Sequence, residues 1–322
     1  MFRRRALALV TTAVLTATAA GCSTEDPPAA PTEAAPPPTS AAAPTPQVSP
    51  TTAPTRSHAV GVRRLDLSRG EDRPLPTTVW YPARGERGGE PERGAPVARG
   101  RFPVVVFSHG LGGRSDDYSG LVSRWAEAGF VVAAPTFPRT SSDGDGNVLD
   151  VLNQPADVSY VLDEVLALDD TDGDPLRGRL DTGRVAAAGH SAGGVTTIGL
   201  FTTRRDDRLD AGVVFAGTAI GFGTAFAGSA APQLFVHGEL DDVVKYTAGK
   251  AVYDKVPWPK AMLSLPEGDH GRRLLSNDAT LGVVSGTTVE FLRWSLYGDP
   301  AARERMTDGA TRDGLATFDD QL

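Results

Sequence analysis

The segment Arg184-Val185-Ala186-Ala187-Ala188-Gly189-His190-Ser191-Ala192-Gly193-Gly194 constrains this chain more than any other. A run of small apolar residues breaks at Gly-x-Ser-x-Gly and resumes as Val195-Thr196-Thr197-Ile198-Gly199-Leu200, which predicts a buried strand, a sharp turn and a helix. The glycines have a physical reason in that context. A serine hydroxyl that stands clear at the end of a sheet needs a strained turn beneath it. Residues two positions to either side must then lack bulk, because strand and helix nearly touch. Gly189 and Gly193 meet that demand and make Ser191 the candidate nucleophile. Glycine is frequent here, 36 of 322 residues, so the motif alone carries little weight; its flanking elements and downstream partners supply the rest.

The length allows one large α/β domain or two smaller ones, and 40% apolar residues suffice for a packed core. A formal net charge of -8, with no clustered Lys and Arg, argues against nucleic acid as a partner. Cys22 is the single cysteine, so no intramolecular disulfide can form. Met1-Phe2-Arg3-Arg4-Arg5 is basic, Ala6 to Ala20 is apolar but short for a membrane span, and Ala19-Ala20-Gly21-Cys22 offers small residues before a cleavage point. This resembles a bacterial lipoprotein signal, which implies export and lipidation at Cys22, with an ordinary secretory signal as the alternative. Residues 23–56 are nearly all Pro, Ala, Thr and Ser and read as a disordered tether. The folded domain is then expected over 57–322, a monomer by default.

Val60 to Leu67 and Pro76 to Tyr81 alternate as half-buried antiparallel strands at the edge of a sheet, and Gly85 to Gly100 reads as a solvated loop. Pro103-Val104-Val105-Val106-Phe107-Ser108 is continuous enough for a central strand covered on both faces. A helix follows over Asp116 to Ala128, then a strand at Phe130 to Ala134, and short joins imply parallel pairing. Thr136 to Asn153 reads as a loop over the site, and Asp157 to Leu166 as an amphipathic helix capped by Asp157. Asp170, Asp172 and Asp174 alternate as in a calcium loop, but Pro175 stands where such a loop needs glycine, so they read as solvated acids. Further strands are expected at Ala211 to Ala216, Gln233 to Val236 and Ala261 to Leu265, and a helix at Thr287 to Leu296. The tail from Asp299 is polar and shows few anchors.

Ser191 needs a base and the base needs an acid. Of five histidines, His58 lies by the tether, His109 precedes a Gly-rich loop, His190 sits in the turn pointing away from Ser191, and His237 comes before any downstream acid. Only His270, after the last strand, fits the order Ser, acid, His. The stretch from Ala211 to Gln233 contains no Asp or Glu, so the acid falls among Glu239, Asp241 and Asp242. In a strand, turn and helix of this kind the loop after the preceding central strand and the residue after the nucleophile supply the oxyanion N–H groups, here Leu111 and Ala192.

From Val60 to Tyr297 the chain resembles the α/β-hydrolase superfamily. Phe107-Ser108-His109-Gly110-Leu111-Gly112-Gly113, Pro155 to Asp163 and Gly189 to Gly194 are similar to the bacterial group that joins predicted dienelactone hydrolases, platelet-activating-factor acetylhydrolases and cutinase-like enzymes. The run Gly-x-x-Asp-x-Val-Val resembles the acid loop of many α/β-hydrolases and selects Asp241, with Asp242 next and Glu239 third. The chain also departs from its models. Dienelactone hydrolases proper use a cysteine where Ser191 stands, and cutinase-type polyester hydrolases usually carry Met where Ala192 stands, together with a C-terminal disulfide. The resemblance implies a mostly parallel sheet with antiparallel N-terminal strands and helices on both faces. It also implies a serine esterase that needs water and an ester but no metal or organic cofactor. Only about fifty residues separate Ser191 from Asp241, which excludes a large lid there and implies an open site for short-chain or accessible polymer esters. Amide hydrolysis by the same residues, or a binding protein that keeps the fold without the chemistry, are the alternatives.

Overall fold

The computed structural model describes residues 52–276 and 278–322; the expected signal segment, Cys22 and most of the tether lie outside them. In chain order the strands are β1 (Ala59–Ser68), β2 (Pro74–Ala83), β3 (Glu92–Arg93), β4 (Phe102–Ser108), β5 (Val131–Pro135), β6 (Leu180–His190), β7 (Leu209–Phe215), β8 (Gln233–Gly238), β9 (Lys260–Leu265) and β10 (Thr317–Gln321). They form one sheet in the order β10-β9-β8-β7-β6-β4-β5-β2-β1-β3. The six inner strands β9, β8, β7, β6, β4 and β5 run parallel, while β10 pairs antiparallel with β9, β2 with β5 and β1 with β2; the short β3 pairs parallel with β1.

The helices are α1 (Ser119–Glu127), α2 (Gln154–Ala167), α3 (Ala192–Gly199), α4 (Tyr246–Lys255), α5 (Asp278–Leu292) and α6 (Pro300–Thr311). Every residue of β4 is buried because helices cover both of its faces. Val105 and Phe107 face a core with Trp125 of α1 and Phe291 of α5; Val104 and Val106 face the other core, with Val158, Val161 and Leu162 of α2. This explains why β4 is a continuous apolar run while β1, exposed along one face, alternates. The buried Trp125 indole donates to Thr288 Oγ1 at 2.9 Å, which ties α1 to α5.

Several local expectations are revised. The 85–100 loop is solvated only in its first half: Ala95, Val97 and Ala98 are buried, and Glu92–Arg93 pairs with β1. The helix expected from Asp116 opens as a 3-10 turn over Ser115–Tyr118. Asp157 is not a cap. Helix α2 starts three residues earlier, with Pro155 in its first turn, so Asp157 falls inside the helix and is fully buried. Its carboxylate receives Arg69 Nε at 2.7 Å and Arg73 Nε at 2.6 Å, and Arg73 also forks onto buried Asp150 at 3.0 and 2.8 Å. Asp150 belongs to a 3-10 turn, Val148–Leu152, within the loop expected over the site. Asp174 is likewise engaged, by Arg63 at 2.9 Å and by the Leu176 N–H. The helix expected at Thr287 begins nine residues sooner, at Asp278. The tail is structured: Ala302, Met306 and Ala310 of α6 enter the core, and β10 pairs with β9.

Candidate active site

Chain order places the site. The inner sheet starts at β4, adds β5 on one side and then β6 on the other, so a crevice opens beyond the C-terminal ends of β4 and β6. The register pairs Ser108 with Gly189, which sets the loop after β4 against the turn after β6. Ser191 sits in that turn with φ 56° and ψ −117°, in a conformation costing about 1–3 kcal/mol for a residue with a side chain. A Cβ on Gly189 would lie 2.3 Å from the Gly193 carbonyl oxygen, and one on Gly193 would lie 2.0 Å from that of Ser108. The approach of strand, loop and helix therefore depends on both glycines.

Three of the side chains singled out in the sequence meet here. Ser191 Oγ lies 2.8 Å from His270 Nε2, and His270 Nδ1 lies 2.7 Å from Asp241 Oδ2. The imidazole thus donates its Nδ1–H to the carboxylate and offers Nε2 to the hydroxyl. Asp241 is 3% exposed, and its other oxygen accepts the N–H groups of Val243 and Val244 at 2.9 and 2.8 Å. Among the three acids considered, Asp242 and Glu239 are exposed to solvent. The carboxylate is also shared: His237, buried at the end of β8, brings Nε2 to 3.3 Å of Asp241 Oδ2 and to 2.9 Å of the Val244 carbonyl. Burial holds His237 below the usual histidine range, so a neutral ring donates to both.

The sequence reading gives no supporting contacts for His237 or His190. The ring of His190 is 7% exposed, with its centroid 4.9 Å from that of His270. Its Nε2 lies 2.6 Å from the His270 carbonyl oxygen and its Nδ1 lies 2.9 Å from the Tyr118 hydroxyl. Burial pulls the His190 pKa down to about 4, against the hydrogen bond to that carbonyl, and pushes Tyr118 up to about 12. His109 is a buried neutral ring as well, donating to the Gly110 carbonyl at 2.8 Å and accepting the Phe137 N–H at 3.0 Å. The available signal was a histidine next to the nucleophile in a segment too apolar to leave it solvated.

Around Leu111 the backbone amides are engaged. Gly110 N–H donates to Tyr118, Gly112 N–H to Thr140 O and Gly113 N–H to Gly110 O. Leu111 N–H and Ala192 N–H, at the first position of α3, have no hydrogen-bond acceptor among the described residues. The loop is braced from behind by buried Gln154, which donates to Thr140 Oγ1 at 2.7 Å and accepts from Thr196 of α3 at 2.5 Å. Beside Ser191 opens a cavity of about 480 Å³. Leu149, Val151 and Leu152 form one wall, and Val195, Ile220 and Val243 also line the cavity, with no Asp, Glu, Lys or Arg in the lining. Six of its apolar residues, including Leu149, Ile220 and Val243 at 67–68% exposure, are among the eight large hydrophobics exposed on the described surface. No group of three or more His, Cys, Asp or Glu among the described residues is arranged to hold a metal ion.

The family described as Chlorophyllase matches residues 94–222. The chain is also 28% identical over 193 residues to the cutinase est2 of Thermobifida alba, a match covering 59% of this chain and 59% of that protein. Taken with the sheet order and the strained serine between β6 and α3, these settle the architecture. The fold is the α/β-hydrolase fold. Within this hydrolase fold the Chlorophyllase match spans Leu111, Ser191 and Ala192 but ends before β8, so Asp241 and His270 come from a part of the chain it does not reach.

Proposed function

We propose that this protein is an exported carboxylic-ester hydrolase that works through an acyl-enzyme on Ser191. The observation that carries the reading is the unbroken hydrogen-bond line from Ser191 Oγ through His270 to Asp241, at 2.8 and 2.7 Å, anchored on a serine held at positive φ. His270 Nε2 takes the hydroxyl proton as Oγ attacks the ester carbonyl, and Asp241 holds the ring in the required tautomer and offsets its developing positive charge. The N–H groups of Leu111 and Ala192 receive the oxyanion, His270 returns the proton to the leaving alcohol, and water repeats the cycle on the acyl-enzyme. The similarity to a cutinase, and to a family described as Chlorophyllase, supports ester chemistry.

The uncharged apolar cavity favours neutral esters with an aliphatic or aromatic group of several carbons. Its exposed apolar rim suits a short-chain ester or one presented on a polymer. Export and anchoring through lipidated Cys22 form part of the same proposal; no helix among the described residues is long and apolar enough to cross a membrane.

The test is hydrolysis of a p-nitrophenyl ester series from acetate to decanoate by the full chain and by Ser191→Ala. The variant should lose about 10⁴-fold or more in kcat. Equal rates for the two proteins would leave a binding protein on a hydrolase fold as the surviving alternative.

A further inference from the structure

Three hydrogen bonds run head to tail behind the site. Gly110 N–H donates to the Tyr118 hydroxyl oxygen at 3.0 Å, Tyr118 O–H lies 2.9 Å from His190 Nδ1, and His190 Nε2 lies 2.6 Å from the His270 carbonyl oxygen. Their direction is fixed by chemistry. A carbonyl oxygen can only accept, so Nε2 carries the ring proton; the neutral ring then offers Nδ1 as an acceptor, and Tyr118 must donate to it. The Tyr118 hydroxyl still has a lone pair, which takes the Gly110 amide. Burial keeps His190 neutral and Tyr118 protonated, so this order of donors persists through the neutral pH range.

The two ends of the line are functional positions. Gly110 immediately precedes Leu111, and the last acceptor is the backbone of His270 itself. We infer that Tyr118 is a positioning residue whose hydroxyl, acting through His190, holds the oxyanion loop and the base-bearing loop in register over Ser191. The phenyl ring is well placed for this. It packs 4.7 Å, centroid to centroid, from Phe107, which is fully buried in the central strand β4, so the hydroxyl is referred to the packed centre of the sheet. Neither Tyr118 nor His190 touches the reacting atoms in this scheme. Their effect falls on the distance between base and oxyanion donors, which matters most when charge develops in the transition state.

The inference rests on the esterase reading, and the experiment separates the two. Tyr118→Phe keeps the packing on Phe107 and removes only the hydroxyl. His190→Phe keeps an aromatic ring but removes both nitrogens, so it breaks the same Tyr118–His190 link from the other side. Steady-state kinetics on p-nitrophenyl butyrate should show kcat falling about tenfold in each variant with KM changed less than about twofold, as expected for loss of a contact that serves the transition state. The double variant should fall no further than the weaker single one, because both remove one link. Tyr253→Phe, which loses a comparable bond to Asp319 at 2.9 Å on the β10 side, should keep its kcat. If Tyr118→Phe does not fold, His190→Phe decides alone on the same kcat and KM criteria. A Tyr118→Phe kcat within about twofold of wild type, or a double variant in which the two losses multiply, overturns the positioning role while leaving Ser191 as nucleophile. A Ser191→Ala variant as active as wild type overturns the esterase reading and this inference with it.

Discussion

Two buried polar clusters support the residues that line the cavity, and they are built on opposite plans. Behind Ser191, burial holds His109, His190 and His237 below the usual histidine range, and hydrogen bonds with fixed direction join these neutral rings to Tyr118, to backbone groups and to one carboxylate. Under the wall formed by Val148–Leu152, Arg69 and Arg73 grip Asp157 and Asp150 as full ions. Burial works to raise the Asp150 carboxyl, but the hydrogen bonds from Arg73 and Asn153 outweigh it and hold the group below its ordinary value. Neutral, directional groups suit a place where one proton must move and the tautomer matters. Paired ions suit a place where a wall must stay put. In the reaction proposed for Ser191, the first cluster serves turnover and the second serves shape.

That separation is open to attack by substitution. Asp241→Asn should lower kcat by about 10⁴-fold, because the amide presents the wrong partner to His270 Nδ1, while the melting temperature moves little. Arg73→Met should do the reverse. It leaves Asp150 without its guanidinium and Asp157 with only Arg69, so thermal denaturation should report a loss of about 3 kcal/mol, with the remaining folded protein keeping its kcat and showing a raised KM. A large kcat loss in Arg73→Met, or a large stability loss in Asp241→Asn, would erase the contrast.

The pH dependence of stability sharpens it further. His190 has a folded pKa of about 4 against 6.5 when unfolded, so below pH 6.5 the unfolded chain binds a proton the folded one refuses. Its contribution is complete above pH 6.5 and is lost as pH falls towards 4, amounting to about 3 kcal/mol at the low end. Calorimetry at pH 5 should show about one fewer proton taken up on unfolding by His190→Gln than by the wild type. The smallest effect is expected at the cavity rim: Leu149→Ser, at a residue 68% exposed, should raise KM for a hexanoate ester about threefold and leave acetate kinetics and stability unchanged.

Much of this was legible along the chain, and the gaps have physical causes. β4 and β6 declare themselves because strands covered on both faces must be apolar throughout. The strained turn declares itself because glycine is the residue that fits where two backbones approach within van der Waals contact. The serine, the acid and the base lie in three separate turns, and their order in sequence is enough to bring them together on this sheet. The supporting residues leave no such trace. The directions of the hydrogen bonds at His190 and His237 are set by carbonyls that fold in from distant segments. Asp157 looks like a cap because a carboxylate at the head of an apolar helix usually is one; the arginines that claim it come from the β1–β2 turn. α6 and β10 escape notice because Ala302, Met306 and Ala310 are a thin apolar stripe and Thr317–Gln321 is mostly polar.

That polar strand has a consequence for the molecule among its own kind. β10 closes the β9 side of the sheet with a five-residue segment carrying Asp319 and Asp320, whereas on the other margin the two-residue β3 pairs with only Gly61 and Val62 of β1. A long bare margin would invite a second copy to add its own strand, whereas a short, acidic one repels it. At the β10 margin, raising the concentration of the protein should therefore not favour strand addition between copies.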